Sequence, residues 1–157
     1  MKPLMLGFLW MAMSAGAAVA GGLPAAGDLP AAAAEARQRN APLLVMFSSD
    51  ECPYCDVVKK EYLIPLVEDP AERERVLVRV VNLGHQTPLV DFGGHPSTHT
   101  EFARSQGVDF VPTLRFFDAT GRTLVPDMVG LTLEDFYSWY LTAAIDEAQA
   151  KLAKLTD

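Results

Sequence analysis

The chain has two cysteines in 157 residues, and only two residues separate them, in Cys52-Pro53-Tyr54-Cys55. The pair follows directly on an apolar run, Leu43-Leu44-Val45-Met46-Phe47. This placement leaves few options. A structural disulfide clips distant segments, because closing a longer loop constrains the unfolded chain more. A two-residue loop constrains almost nothing. Half of a zinc site would want a second cysteine pair or clustered histidines. No second pair exists, and His85, His95 and His99 do not form such a set in sequence. Redox chemistry remains. A thiolate at a helix N-terminus is stabilised by unpaired backbone N–H groups and by the helix dipole. A second cysteine one turn on can close a small disulfide ring. The spacing therefore predicts a strand over Leu43–Phe47, a connecting loop over Ser48–Glu51 and a helix starting at Pro53, where a missing N–H does no harm.

Met1 to Ala20 reads as a secretory signal peptide. Lys2 is its only charged side chain, Leu4 to Met13 is its apolar core, and Ala18-Val19-Ala20 offers small residues for cleavage. An uncleaved anchor is the alternative, although Gly, Ser and Ala dilute the segment after Met13 and a spanning helix wants about 20 strongly apolar residues. The expected organisation is a leader over residues 1–20, a flexible segment over 21–28 and one domain over 29–157. Such a domain is long enough to bury a core without disulfide staples. A net charge of −7 argues against nucleic acid or an anionic membrane surface as partner. Export implies an oxidising compartment, expected to be the periplasm.

Leu29 to Arg39 is Ala-rich and helix-favouring, with Pro30 in its first turn. The helix begun at Pro53 is expected to run to about Leu63, with Pro65 interrupting it and a short charged helix following over Ala71–Arg75. Val76–Val81 reads as a strand and Gly84–Ser97 as a loop. Thr98 with Glu101 resembles a capping box for a helix that ends at Gly107. Thr113–Phe117 and Thr123–Val129 read as strands joined by a turn over Asp118–Gly121, the second an edge strand because of Pro126. Thr132 with Asp135 is expected to cap a last helix. Leu133, Phe136, Tyr137, Tyr140, Leu141, Ala144, Ile145, Ala148 and Leu152 recur there at helical spacing. The order implies an α/β fold: a central mixed sheet of about four strands, parallel in its first half, ending in a hairpin, and flanked by helices.

That order, with the Cys-x-x-Cys after the first core strand and Val111-Pro112-Thr113 opening the hairpin, resembles the thioredoxin superfamily over about residues 29–150. Four stretches resemble the exported thioredoxin-like proteins related to SoxW: the cysteine motif, Glu68-Asp69-Pro70, Val90-Asp91-Phe92-Gly93-Gly94, and Gly107-Val108 through Pro112-Thr113. The resemblance implies a thiol–disulfide oxidoreductase with Cys52 as the exposed attacking thiolate and Cys55 as the resolving cysteine. Pro53 and Tyr54 would set the helix start and the redox tuning. Pro112 would be the cis-proline facing the pair, and Val111 would offer its main chain to an extended substrate. The expected partners are a disulfide-containing protein substrate and a membrane electron donor; the expected state is a monomer. No cofactor is expected.

The sequence also departs from the family pattern. Cytosolic thioredoxins carry a buried Asp six residues before the first cysteine, where this chain has Met46. The tryptophan before that cysteine is Glu51 here. Asp50, Glu51 and Asp56 place negative charge near Cys52, which opposes thiolate formation and favours a reducing or isomerising role over a primary oxidant. Pro-Tyr is also the glutaredoxin dipeptide, but the Gly-Gly expected of a glutathione site is reduced to Gly130, and Gly93-Gly94 precedes the proline. His95 and His99 are four apart, yet Pro96 interrupts the helix that a metal pair at that spacing needs; the three histidines read as exposed loop residues and no metal is expected. The competing class is a thiol-based copper-handling or redox-sensing module. Copper carriers of this fold space their cysteines by three and place a histidine late, whereas no histidine follows His99.

Overall fold

The computed structural model describes residues 22–132 and 134–156; the expected leader over 1–20 and Leu133 lie outside the described residues. The elements are α1 (Leu29–Gln38), β1 (Leu43–Ser48), α2 (Pro53–Val57), a π-helical stretch (Val58–Leu63), α3 (Ile64–Glu68), β2 (Leu77–Asn82), β3 (Pro88–Val90), β4 (Pro96–Thr98), α4 (His99–Ser105), β5 (Thr113–Phe117), β6 (Met128–Val129) and α5 (Tyr137–Thr156). Short 3₁₀ turns fall at Glu72–Glu74 and Glu134–Phe136.

The main sheet runs β2-β1-β5-β6. β1 is buried along its whole length, pairing parallel with β2 and antiparallel with β5. A strand covered on both faces needs apolar side chains on both, which explains its unbroken apolar run. Alternation along β1 sends Leu44 and Met46 to one face and Leu43, Val45 and Phe47 to the other. The first face packs against the cysteine-bearing helix and α5. The second packs against α1 and α4, with Phe102 stacked on Phe47 at a centroid distance of 6.1 Å.

Several expectations are corrected. Residues 22–28 are not a loose tail. The Ala26 N–H donates to Val80 O at 2.8 Å, the Val80 N–H to Pro24 O at 2.9 Å and the Val90 N–H to Gly27 O at 2.7 Å. The outer side of β2 has backbone groups that need partners, and this segment supplies them. Pro65 does not interrupt the helix. It enters α3 through the π-helical stretch, where the Ile64 N–H bonds five residues back to Lys59 O. An α-helical path would drive the proline ring against the carbonyl of residue i−4, and a wider turn relieves that contact. The loop after β2 contains a small antiparallel hairpin, β3–β4. Beyond the turn, Thr123 makes one bridge to Phe117 and regular pairing resumes only at Met128–Val129, with Pro126 between them. α5 begins at Tyr137 rather than directly after Thr132; Tyr137, Leu141, Ile145 and Ala148 are buried, while Phe136 and Tyr140 face out.

Candidate active site

β1 delivers the chain to the cysteines. Cys52 is the N-cap of α2, with extended backbone, and Pro53 occupies the first turn. The cap side chain is sulfur: the Cys55 N–H donates to Cys52 Sγ at 3.1 Å. A helix start has N–H groups without intrahelical partners, so the same position that caps the helix also stabilises negative charge on this sulfur. Cys52 and Cys55 form a disulfide, with Cα atoms 5.2 Å apart. Cys52 keeps 8% of its surface exposed and Cys55 none. Both cysteines belong to the apolar cluster with Leu44, Met46, Val58 and Tyr137, and only Cys52 retains any exposure.

Pro53 is exposed and Tyr54 is 63% exposed beside the disulfide. The Val111–Pro112 peptide is cis. Val111 packs against the cluster that contains both cysteines and also against the cluster on the other face of the sheet. Pro112 is buried, and its carbonyl accepts from the Gly130 N–H at 2.7 Å. The six residues expected at the site thus divide into a cysteine-bearing helix start and a loop packed against the same core. Phe110, 60% exposed, stands next to Val111, and Gly130 lies against its ring. No periodicity in the sequence marks an isolated loop aromatic of this kind.

The charge around the pair differs from the sequence expectation. Asp50 is not a free carboxylate. Its Oδ2 lies 2.7 Å from His85 Nε2, and its Oδ1 accepts from Asn82 Nδ2 at 2.7 Å. These two hydrogen bonds, His85 first, hold the Asp50 carboxyl below its ordinary pKa. Glu51 and Asp56 are exposed and make no ion pair among the described residues. The position of the missing acid is apolar on both sides: Met46 pairs in register with Val80. The Tyr137 hydroxyl is buried, has no hydrogen-bond partner among the described residues, and is pushed well above its usual pKa by burial and by the Tyr62 hydroxyl.

The histidines also separate. His85 and His95 are exposed, but His99 is 2% exposed at the start of α4. It accepts from the Asn82 N–H at Nδ1 (3.0 Å) and donates from Nε2 to Ala26 O (2.6 Å). It therefore bridges β2 to the N-terminal segment, which corrects its reading as an exposed loop residue. Among the described residues no group of three His, Cys, Asp or Glu side chains could hold a metal ion.

A disulfide at a helix N-terminus and a cis peptide before the proline that leads into β5, on a mixed sheet, define a dithiol protein of the thioredoxin fold. The model of the thioredoxin-like domain matches residues 29–145, and the chain belongs to that family. Solved structures agree on the fold. A thioredoxin from Thermus thermophilus has TM-score 0.55 and 19% identity, covering 87% of this chain and 94% of its own. Mitochondrial thioredoxin 3 from Saccharomyces cerevisiae, in its oxidised form, has TM-score 0.52 and 15% identity, covering 80% and 94%. A thioredoxin h from poplar has TM-score 0.51 and 21% identity, covering 73% and 85%. No curated protein sequence matches the chain.

Proposed function

We propose that the protein is an exported thiol–disulfide oxidoreductase that reduces or isomerises protein disulfides. The observation that carries this is the asymmetry of the pair: Cys52, at the helix start, keeps a little exposure and Cys55, one turn on, has none. In the reduced protein the Cys52 thiolate attacks one sulfur of a substrate disulfide. That S–S bond breaks, the departing substrate sulfur leaves as a thiolate and takes up a proton, and a mixed disulfide remains on Cys52. Cys55 then loses its proton and attacks Cys52 Sγ, which releases the second substrate thiol. Two electrons have passed to the substrate, and the Cys52–Cys55 disulfide is the product. Tyr54 and the Val111–Pro112 backbone are the substrate-contacting elements of this reading.

The sulfur-capped helix start favours the thiolate, while Glu51 and Asp56 oppose it and no cation among the described residues is paired to Cys52. This balance supports a reducing or isomerising role, with a membrane partner returning the electrons. A signal-peptide-like N-terminus supports a periplasmic location; no helix among the described residues is long and apolar enough to cross a membrane. Cys55→Ser is expected to accumulate mixed disulfides through Cys52, and Cys52→Ser to be inactive and to trap nothing. Retained insulin reduction by Cys52→Ser would overturn the assignment. Equilibration with glutathione buffers is expected to give a potential of about −200 mV or lower, and a value near about −120 mV would overturn the reducing direction.

A further inference from the structure

Asp50 and its partners form a built network. The partners are remote in sequence, Asn82 at the end of β2 and His85 three residues later. Asn82 Oδ1 accepts from the Gly84 N–H at 3.0 Å. Thr100 of α4 donates from Oγ1 to the carbonyls of Leu83 and His85 at 2.8 and 2.9 Å, and its N–H donates to His85 O at 3.1 Å. His99 takes the Asn82 N–H. The backbone carrying His85 is therefore fixed from α4, and the imidazole is held against a carboxylate two residues before the attacking cysteine.

We propose that His85 is a positioning and charge-compensating residue for the redox reaction, holding Asp50 and cancelling its charge so that the proton on His85 tunes the Cys52 thiolate. The inference rests on the thiol–disulfide reading of the pair. The Cα atoms of residues two apart lie within about 7 Å of each other, just inside the screening length of about 8 Å in physiological salt. Protonated His85 makes the Asp50–His85 pair neutral. Once His85 loses its proton, the pair carries one negative charge, which opposes thiolate formation on Cys52.

The other charges facing this site are few. Lys59 and Lys60 of the π-helical stretch line a cavity of about 320 Å³ together with Asn82, His85 and His99, and Lys59 also acts on Asp50. Glu51 and Asp56 flank Cys52 in sequence. His99 has both nitrogens engaged, one as acceptor and one as donor, which describes a neutral ring. His85 is thus the member of this cluster whose proton is shared directly with the carboxylate before Cys52.

The test uses the full reduced chain with Cys55→Ser, leaving a single thiol, and reads the pH dependence of Cys52 alkylation by iodoacetamide. His85→Gln keeps a side-chain amide that can bond Asp50 but removes the charge. It is expected to raise the Cys52 pKa, leaving about threefold less thiolate at a fixed pH below that pKa. In an Asp50→Asn background the same change is expected to be silent. An unchanged Cys52 pKa in His85→Gln, or an undiminished effect in the Asp50→Asn background, would overturn the proposal. Failure of the wild-type pair to exchange with any glutathione buffer would instead sink the oxidoreductase reading, while the thiol titration still reports the coupling by itself.

Discussion

On the face of the sheet that holds the cysteines, β1 contributes Leu44 and Met46, β5 contributes Leu114 and Phe116, and α5 closes the layer with Tyr137, Leu141 and Ile145. On the opposite face, Arg79 and Arg115 both stand in register with Val45, one on each neighbouring strand. Arg79 pairs with Glu35 of α1 at 2.8 Å. Arg115 makes a two-pronged pair with Asp127 at 2.8 and 2.6 Å, donates to Gln106 O, and lies 5.9 Å from the Phe47 ring centroid. The cysteine face is apolar where the strands cross it, with its charged tie at the rim, Arg75 to Asp146 of α5; the other face carries anchored charge on the strands themselves, beside an aromatic core. The difference has a chemical sense. A buried carboxylate under the cysteines would take part in every proton transfer at Cys55. With Met46 and Val80 there instead, the strand-borne ion pairs, Arg79–Glu35 and Arg115–Asp127, lie behind the sheet.

This contrast can be broken from either side. Phe102→Ala removes the ring packed against Phe47 and Phe92 on the charged face. A loss of about 3–5 kcal/mol in urea unfolding is expected, and a loss under about 1 kcal/mol would mean the aromatic core there is not a stability centre. Met46→Asp places an acid in the uncharged face, with an expected loss of about 2–4 kcal/mol at neutral pH. Burial raises that carboxyl's folded pKa above its unfolded value, so the variant should be most stable at low pH, relative to wild type, and lose stability as pH rises through the folded value. A pH-independent difference would show that water or a cation reaches this site.

A smaller effect is expected at Asp118, a buried carboxylate in the β5–β6 turn. Burial alone raises its pKa. Hydrogen bonds from Thr120 and Arg122 outweigh that and leave it lowered. A depressed folded pKa gives stability that is present above the unfolded carboxylate value and is lost as pH falls through the folded one. Asp118→Asn is expected to cost about 1–2 kcal/mol at pH 7 and to flatten the acid limb of the stability profile; an unchanged acid limb would count against it. The smallest change is expected from Tyr54→Ala. Its ring is exposed, so thermal stability should stay within about 0.5 kcal/mol, while reduction of a protein disulfide slows more than reduction of a small one. Equal slowing would remove Tyr54 from the substrate surface.

Local patterns made much of this molecule legible. β1, α1, β5, the cap at Thr98 and the turn at Asp118–Gly121 each rest on neighbouring residues, and the cysteine spacing alone pointed to the redox pair. Contacts between distant segments were not legible. Nothing near His99 signals that its ring will join Ala26 to Asn82, and nothing near Asp50 signals a partner at His85. The π-helical stretch was hidden for another reason: its apolar spacing barely differs from that of an α-helix over one turn, and Pro65 reads as a stop. Thr123–Val129 has strand-like composition, but Pro126 lacks the N–H that a continuous ladder needs.

The course of residues 24–26 along β2 bears on more than the order of the N-terminus. β2 is the outer strand of the four-stranded sheet, and both hydrogen-bonding groups of Val80 are taken by Pro24 and Ala26 of the same chain. An outer strand with free backbone groups is a template on which another polypeptide can build. At the far side, β6 is only Met128–Val129, too short to template much. On the proposed reading, a protein that reduces or isomerises protein disulfides meets extended substrate backbone at each turnover. Here the edge beside the N-terminus is already occupied, so a client chain can be engaged at the cysteine loop without being zipped onto the sheet.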